Sequence, residues 1–188
     1  MNDPIDLNSE LLNTNYHVIQ GDYHMRPLLE SDRSHVLDLF DHLSAQSRYF
    51  RYCQALKNLP ESLLNRIISA HEKHDMAIGA FLLDSQSKDQ TLIGIARYVE
   101  EGNSKEAEFS LSVRDDFQHE GIGSHLMKAM LETAYANGYE TIHGYVLSEN
   151  QDMLSLMTHL GAKCTHHEED RTMMVTTFYA NQELATES

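Results

Sequence analysis

Val113-Arg-Asp-Asp-Phe-Gln118-His119-Glu120-Gly121-Ile122-Gly123-Ser124 is the stretch that decides how this chain folds. Upstream of it, residues 107–113 alternate between apolar and polar, the two-residue period of a half-buried strand. Downstream, Leu126, Met130, Leu131 and Ala134 recur at helical spacing, and Gly138 stops the pattern. A strand that runs through a glycine-punctuated turn into a helix builds a pocket for phosphate. The glycines let backbone approach a ligand, having no Cβ in the way. The helix start offers unpaired N–H groups at the positive end of its dipole. No Gly-Lys-Ser/Thr follows, so the turn is not a Walker A loop. Leu126 stands at the third glycine position, so it is not a full dinucleotide fingerprint either.

Working outward, residues 76–83 and 92–99 read as strands closely spaced with 107–113, which predicts an antiparallel meander. Residues 16–20 and 23–27 are strands around Gly21-Asp22. Ser31-Asp32-Arg33 starts a helix striped by Val36, Leu37, Leu39, Phe40 and Leu43. Residues 44–54 hold a short helical turn, with Tyr49, Phe50 and Tyr52 assigned to core in preference to a substrate cleft. Pro60-Glu61-Ser62 opens a helix that ends within 71–75. Polar turns span 84–90 and 100–105. Residues 141–147 form a strand, and Ser148-Glu149-Asn150-Gln151 is a capping-box-like start for a helix ended by Gly161. Residues 162–168 and 172–180 are a final hairpin. This order predicts an α/β (α+β) fold: a mixed, mostly antiparallel sheet with helices on both faces. Residues 1–15 read as a flexible tail, 16–182 as a single domain and 183–188 as a second tail.

The chain has 188 residues, 41% hydrophobic and 23% charged, the balance of a globular domain. No apolar run reaches membrane-spanning length, and the N-terminus lacks the pattern of a secretory signal. Cys53 and Cys164 fit no metal or redox spacing, and a reducing cytoplasm is the expectation. The formal charge of −15 argues against nucleic-acid binding and suits a cationic acceptor. His166-His167-Glu168-Glu169-Asp170 reads as a solvated hairpin turn, because adjacent strand histidines face opposite ways, and no metal site is expected.

Two pieces are more specific: Val113-x-x-x-x-Gln118-x-x-Gly121-x-Gly123, and Glu149-Asn150-x-x-Met153 running to Leu160-Gly161-Ala162. With the element order above, they resemble the GNAT superfamily of acetyl-CoA-dependent N-acetyltransferases over roughly residues 23 to 180. Further segments resemble the GNAT domain of bacterial Pat-type protein lysine acetyltransferases. They are Arg26-Pro27 with Asp32, Leu43-Ser44-x-x-Ser47-x-Tyr49-x-Arg51-Tyr52, Ala96-Arg97-Tyr98-Val99 and Ala107-Glu108-Phe109. In that family the domain is often fused to an acyl-CoA-synthetase-like or cyclic-nucleotide-binding module, and these residues contain neither.

The resemblance implies acetyl-CoA as co-substrate. The backbone of Gln118, His119, Glu120, Gly121, Ile122, Gly123 and Ser124 would wrap its pyrophosphate, and Leu111, Ser112 and Val113 would offer backbone groups to its pantetheine arm. Asn150 is the family's side-chain contact to that arm, or a helix-start residue satisfying local amides. Glu108 takes the place of the family's catalytic glutamate. Alternation puts it with Ser110 and Ser112 on one side of the strand, and a partly apolar cleft would raise its pKa toward proton abstraction. The backbone N–H near Leu111 would polarise the thioester carbonyl. Met157 stands where many relatives have a tyrosine that protonates the thiolate, with Tyr145 and Ser155 as candidate substitutes. The predicted activity is acetyl transfer to a primary amine by direct attack, with protein lysine favoured. A small amine, or a non-catalytic acetyl-CoA-binding module, is the alternative, and monomer against homodimer stays open.

Overall fold

The strands expected on either side of Gly21 pair as an antiparallel hairpin, β1 (Asn15–Val18) with β2 (Gly21–Pro27). The computed structural model describes residues 10–83, 90–102 and 105–181. The turn expected over 84–90 lies almost wholly outside these residues, as do the tip of the 100–105 turn and the C-terminal tail. Helices α1 (Arg33–Asp41), α2 (Ala45–Tyr52) and α3 (Glu61–Ile68) follow. Then come β3 (His71–Glu72), β4 (Asp75–Leu83), β5 (Gln90–Glu100) and β6 (Glu106–Val113). A 3-10 turn leads into α4 (Ile122–Ala136), which is followed by β7 (Thr141–Leu147), α5 (Gln151–His159), β8 (Lys163–His166) and β9 (Met173–Tyr179).

Among the described residues the strands form one sheet in the order β1-β2-β4-β5-β6-β7-β9-β8, with β3 beside β4. Every pairing is antiparallel except β6 with β7. The expected meander is β4-β5-β6. Helices cover both faces. Val36, Leu39, Phe40, Leu64 and Ile67 bury one layer against Phe81, Leu92 and Ile95. Leu126, Met130, Leu131 and Ala134 of α4 bury the other, together with Met157 of α5 and Leu160 just past its end. Each fully buried Leu or Met contributes roughly 1.5–3 kcal/mol, so these two stripes hold the layers on. Gly138 ends α4 at φ +96°, a conformation that side chains resist. Among the described residues no helix is long and apolar enough to cross a membrane.

Three boundaries differ from the sequence reading. Residues 10–15, expected to belong to a flexible tail, are structured. A 3-10 turn, Glu10–Asn13, lays Leu11 and Leu12 against the core, and Tyr16 donates its hydroxyl to the Leu11 carbonyl at 3.1 Å. Helix α3 stops at Ile68 rather than within 71–75, because His71 and Glu72 pair with Met76 and Asp75 as a tight hairpin. The N-cap of α5 is Asn150, whose Oδ1 accepts the Met153 N–H at 3.3 Å, and not Ser148.

The start of α1 is locked by a buried ion pair. Asp32 accepts two bonds from Arg26, at 2.7 and 2.8 Å, and one from the Leu29 N–H at 2.8 Å. Its side chain is 4% exposed and that of Arg26 27%. Arg26 also lies 3.7 Å over the Phe81 ring, so the pair ties the helix entry to β2 and β4. Burial alone would raise the Asp32 carboxyl. Its bonds to Arg26 and Leu29, with the charges of Arg26 and His35, outweigh that and hold it below the usual carboxylate range.

Candidate active site

Strands β6 and β7 pair at only three positions, Glu106 with Thr141, Ala107 with Ile142 and Glu108 with His143. Beyond Glu108 they part. β6 keeps its ladder with β5 as far as Val113, and β7 keeps its own with β9 as far as Leu147. The β7-facing edge of residues 109–113 has no strand partner among the described residues, which leaves extended backbone open to a ligand. A bulky residue stands at the point of parting. The Phe109 ring lies over Gly144, where an added Cβ would sit 2.6 Å from a ring carbon, and meets Phe178 edge-on at 5.9 Å.

The loop that leaves β6 is braced from within. Gln118 donates its amide to the Val113 carbonyl at 3.1 Å. Asp115 accepts the Ser44 N–H at 3.0 Å and the Ser47 hydroxyl at 2.6 Å, which ties the loop to the start of α2. Ser44 in turn caps α2 by accepting the Ser47 N–H at 3.1 Å. The Glu120 carboxylate accepts the Ile19 N–H at 2.8 Å, so its side chain serves the β1–β2 turn. His119 and Gly121 adopt left-handed φ values of +64° and +84°. Such reversals curl successive N–H groups toward one concavity, an arrangement suited to anions. Ile122 and Ser124 are buried, and their backbone belongs to the first turn of α4. A methyl group at Gly123 would stand 3.1 Å from Leu156 and 3.5 Å from Leu111, so the end of β6, the start of α4 and the face of α5 converge there.

On the α2–α3 side of the sheet, Glu108, Ser110 and Ser112 share one face of β6, as alternation predicted, and buried Leu111 points to the other. Glu108 and Ser110 line a cleft of about 210 Å³. Its apolar wall includes Tyr52, Leu63, Ile67 and Val99. Arg51, Arg66, Arg97 and Glu101 add charge. Glu108 is exposed at the mouth rather than sunk in an apolar cleft. Arg51 donates to the Ser110 hydroxyl at 2.8 Å and lies 4.8 Å over the Tyr52 ring. Burial holds its guanidinium below the usual arginine range, partly countered by Tyr52 and Glu108. Arg97 is neutralised by Asp75, to which it gives two bonds. Sequence reasoning assigned no role to Arg51 or Arg66 and sent Tyr49 and Tyr52 to the core. Tyr49 is exposed instead, while Tyr52 packs against the Phe40 layer as expected and also lines the cleft. The available signal was Arg51 inside the quoted segment of α2.

Across the fork, Tyr145 is exposed on the same face as His143, with ring centroids 5.6 Å from His143 and 5.8 Å from His167. Burial, then the charges of Glu101 and Glu108, push its phenol up, so it keeps its proton at neutral pH. Met157 is fully buried, and Ser155 is exposed on α5. Asn150 caps α5, and its amide nitrogen has no partner among the described residues. The His166–Asp170 segment is a turn: the His167 ring accepts the Glu169 and Asp170 N–H groups, and Asp170 accepts two bonds from Thr172.

Comparison with known proteins agrees with this geometry. The family model of the acetyltransferase (GNAT) domain matches residues 23–163. Acetyltransferase PA5475 of Pseudomonas aeruginosa is 25% identical over 151 residues, 80% of each chain. Acetyltransferase Pat of Mycolicibacterium smegmatis is 30% identical over 141 residues, 74% of this chain but 41% of that protein. The crystal structure of the GNAT domain of S. lividans PAT superposes with a TM-score of 0.77 at 19% identity, covering 88% of this chain and 96% of that one. A sheet forked at β6, a left-handed anion loop leading into α4, and a family match over that whole region make this chain a member of the GNAT acetyltransferases, similar to Pat-type domains.

Proposed function

We propose that the chain acetylates a primary amine, protein lysine favoured, with Glu108 as the general base. The acetyl donor is acetyl-CoA, the co-substrate of the family. The observation that carries the proposal is the position of Glu108. It is the last β6 residue paired with β7, so it stands at the crotch of the fork and at the mouth of the cleft. The fork suits a pantetheine arm, because extended backbone at residues 111–113 offers strand-like hydrogen bonds along an unpaired edge. The curled loop from Gln118 to Ser124 suits a pyrophosphate, because α4 adds N–H groups and its dipole. The free amide nitrogen of Asn150 is a donor for the same arm.

Glu108 accepts the proton that the attacking amine gives up, and the Leu111 N–H meets the charge that grows on the acetyl oxygen. Buried Met157 has no proton to give to the leaving thiolate. The protonated Tyr145 phenol, within electrostatic reach of Glu108, is the group we assign to that step. The acidity of the chain and its Pat-like segments favour a lysine-bearing acceptor. A cytoplasmic setting belongs to the proposal and rests on the free thiols of Cys53 and Cys164.

Calorimetric titration with acetyl-CoA, followed by a thiol-release assay over lysine-bearing proteins and small amines, tests the reading. Tight binding with release on an acceptor supports it. Binding without release on any acceptor marks a non-catalytic module, and absence of binding sinks both. Gly121→Ala checks the loop separately. Alanine at φ +84° costs about 1–2 kcal/mol, so thermal stability falls slightly while coenzyme A affinity falls further as the curl relaxes. Unchanged affinity would remove the loop from the site.

A further inference from the structure

We infer that the cleft beside Glu108 selects acceptors whose primary amine carries an anionic group about 7 Å away, which rests on the proposed acetyl transfer. The observation is a separation of charge. The sheet side of the cleft contributes carboxylates, Glu108 and Glu101, and helices α2 and α3 contribute guanidiniums, Arg51 and Arg66. The third arginine, Arg97, is already neutralised by Asp75. Arg51 has a hydroxyl and an aromatic ring for partners but no ion pair among the described residues. The Arg66 side chain has no hydrogen bond or ion pair among them, although it sits in a chain with 29 acidic and 14 basic side chains. In so acidic a protein an arginine finds a carboxylate easily. Two that converge unpaired on one cleft leave a site for an anion that comes from outside.

The spacing sets the size of the ligand. Arg51 reaches the sheet at Ser110, two residues along β6 from Glu108. Alternate residues on one strand face are about 7 Å apart. An amine held at Glu108 therefore puts an anion near Arg51 if about five bonds separate the two groups. Leu63, Ile67 and Val99 offer an apolar wall to the methylenes between. A free ω-amino acid has this chemistry, and a lysine side chain with an acidic neighbour reaches the same separation through space when the two side chains lie side by side, although more bonds divide them. Arginine takes such a carboxylate through paired N–H groups, which an uncharged amide cannot match.

The test compares 5-aminopentanoate with 5-aminopentanamide, and a blocked Lys-Glu dipeptide with Lys-Gln. Each is measured by calorimetry on the chain loaded with coenzyme A and by thiol release with acetyl-CoA. The acidic member of at least one pair is expected to be preferred by about tenfold or more, and the pair that shows it names the source. The Arg51→Gln, Arg66→Gln double variant is expected to bring that ratio to near one, Arg66→Gln alone to reduce it, Arg66→Lys to reduce it less, and Arg33→Gln to leave it intact, since Arg33 pairs with Glu61 and Asn65. Equal use of both members of both pairs overturns the inference while leaving acetyl transfer standing. If no compound releases thiol, acetyl transfer to these amines fails, and calorimetry decides the inference alone. Preferential binding of the acidic member then upholds it, and equal or absent binding overturns it.

Discussion

Replacing Glu108 by Gln is expected to lower turnover by about 10²–10⁴-fold and to leave acetyl-CoA affinity close to that of the parent chain. Glutamine keeps the shape of the side chain and loses only its basic oxygen. The substitution is structurally mild because Glu108 is exposed and its side chain has no hydrogen bond to any other described residue. Its backbone pairs with Val99 on one side and His143 on the other, and those pairings do not depend on the side chain. The loss should therefore appear in the chemical step. It should shrink as pH rises, because a growing fraction of the acceptor amine arrives already deprotonated. Steady-state rates from neutral to alkaline pH, beside a calorimetric isotherm, separate the two effects. Turnover matching the parent chain across that range would remove Glu108 as the base.

Asp32→Asn is expected to destabilise the fold by about 3–5 kcal/mol, the usual result of removing one partner from a buried ion pair. At roughly 2–4 °C per kcal/mol for a chain of this size, the melting temperature should drop by about 6–20 °C. Arg26 would keep its charge over Phe81 with no carboxylate to meet it, and the Leu29 N–H would lose a strong acceptor. The same pair gives stability a pH dependence. The folded-state pKa of Asp32 lies below its unfolded value of about 4, so its contribution is fully present above that pH and disappears as pH falls through the folded value. Thermal melts between neutral pH and about pH 3 should show the parent losing ground to the variant as acid is added. A parent and variant that fall in parallel would mean that Asp32 is not the group titrating.

The legible parts of this chain were those written in local periodicity. Alternation along residues 107–113 put Glu108, Ser110 and Ser112 on one face, and the spacing of Leu126, Met130, Leu131 and Ala134 gave α4 its buried side. The fork was not legible, because it depends on Phe109 meeting Gly144 from a strand 35 residues away in sequence. Hydrophobic pattern also misjudged Tyr49, since an aromatic residue at helical spacing looks the same whether it faces a core or solvent. Leu11 and Leu12 were lost among polar neighbours, and their anchoring shows only once β1 and β2 bring them over the α4 layer. Asn150 was left open between cap and ligand contact, and its two ends behave differently: the oxygen caps α5, while the nitrogen has no partner among the described residues.

The three-residue joint between β6 and β7 makes the sheet two plates that share a short seam. One plate holds β1 to β6 and the other β7 to β9. Seams with so few backbone bonds breathe before the plates themselves unravel. A ligand lodged in the fork, touching the open edge of β6 and the cap of α5 together, would act as a cross-brace between the plates. Occupancy then becomes a mechanical variable: amide exchange along β7 would slow on filling and quicken on emptying, reporting the cofactor cycle from the second plate.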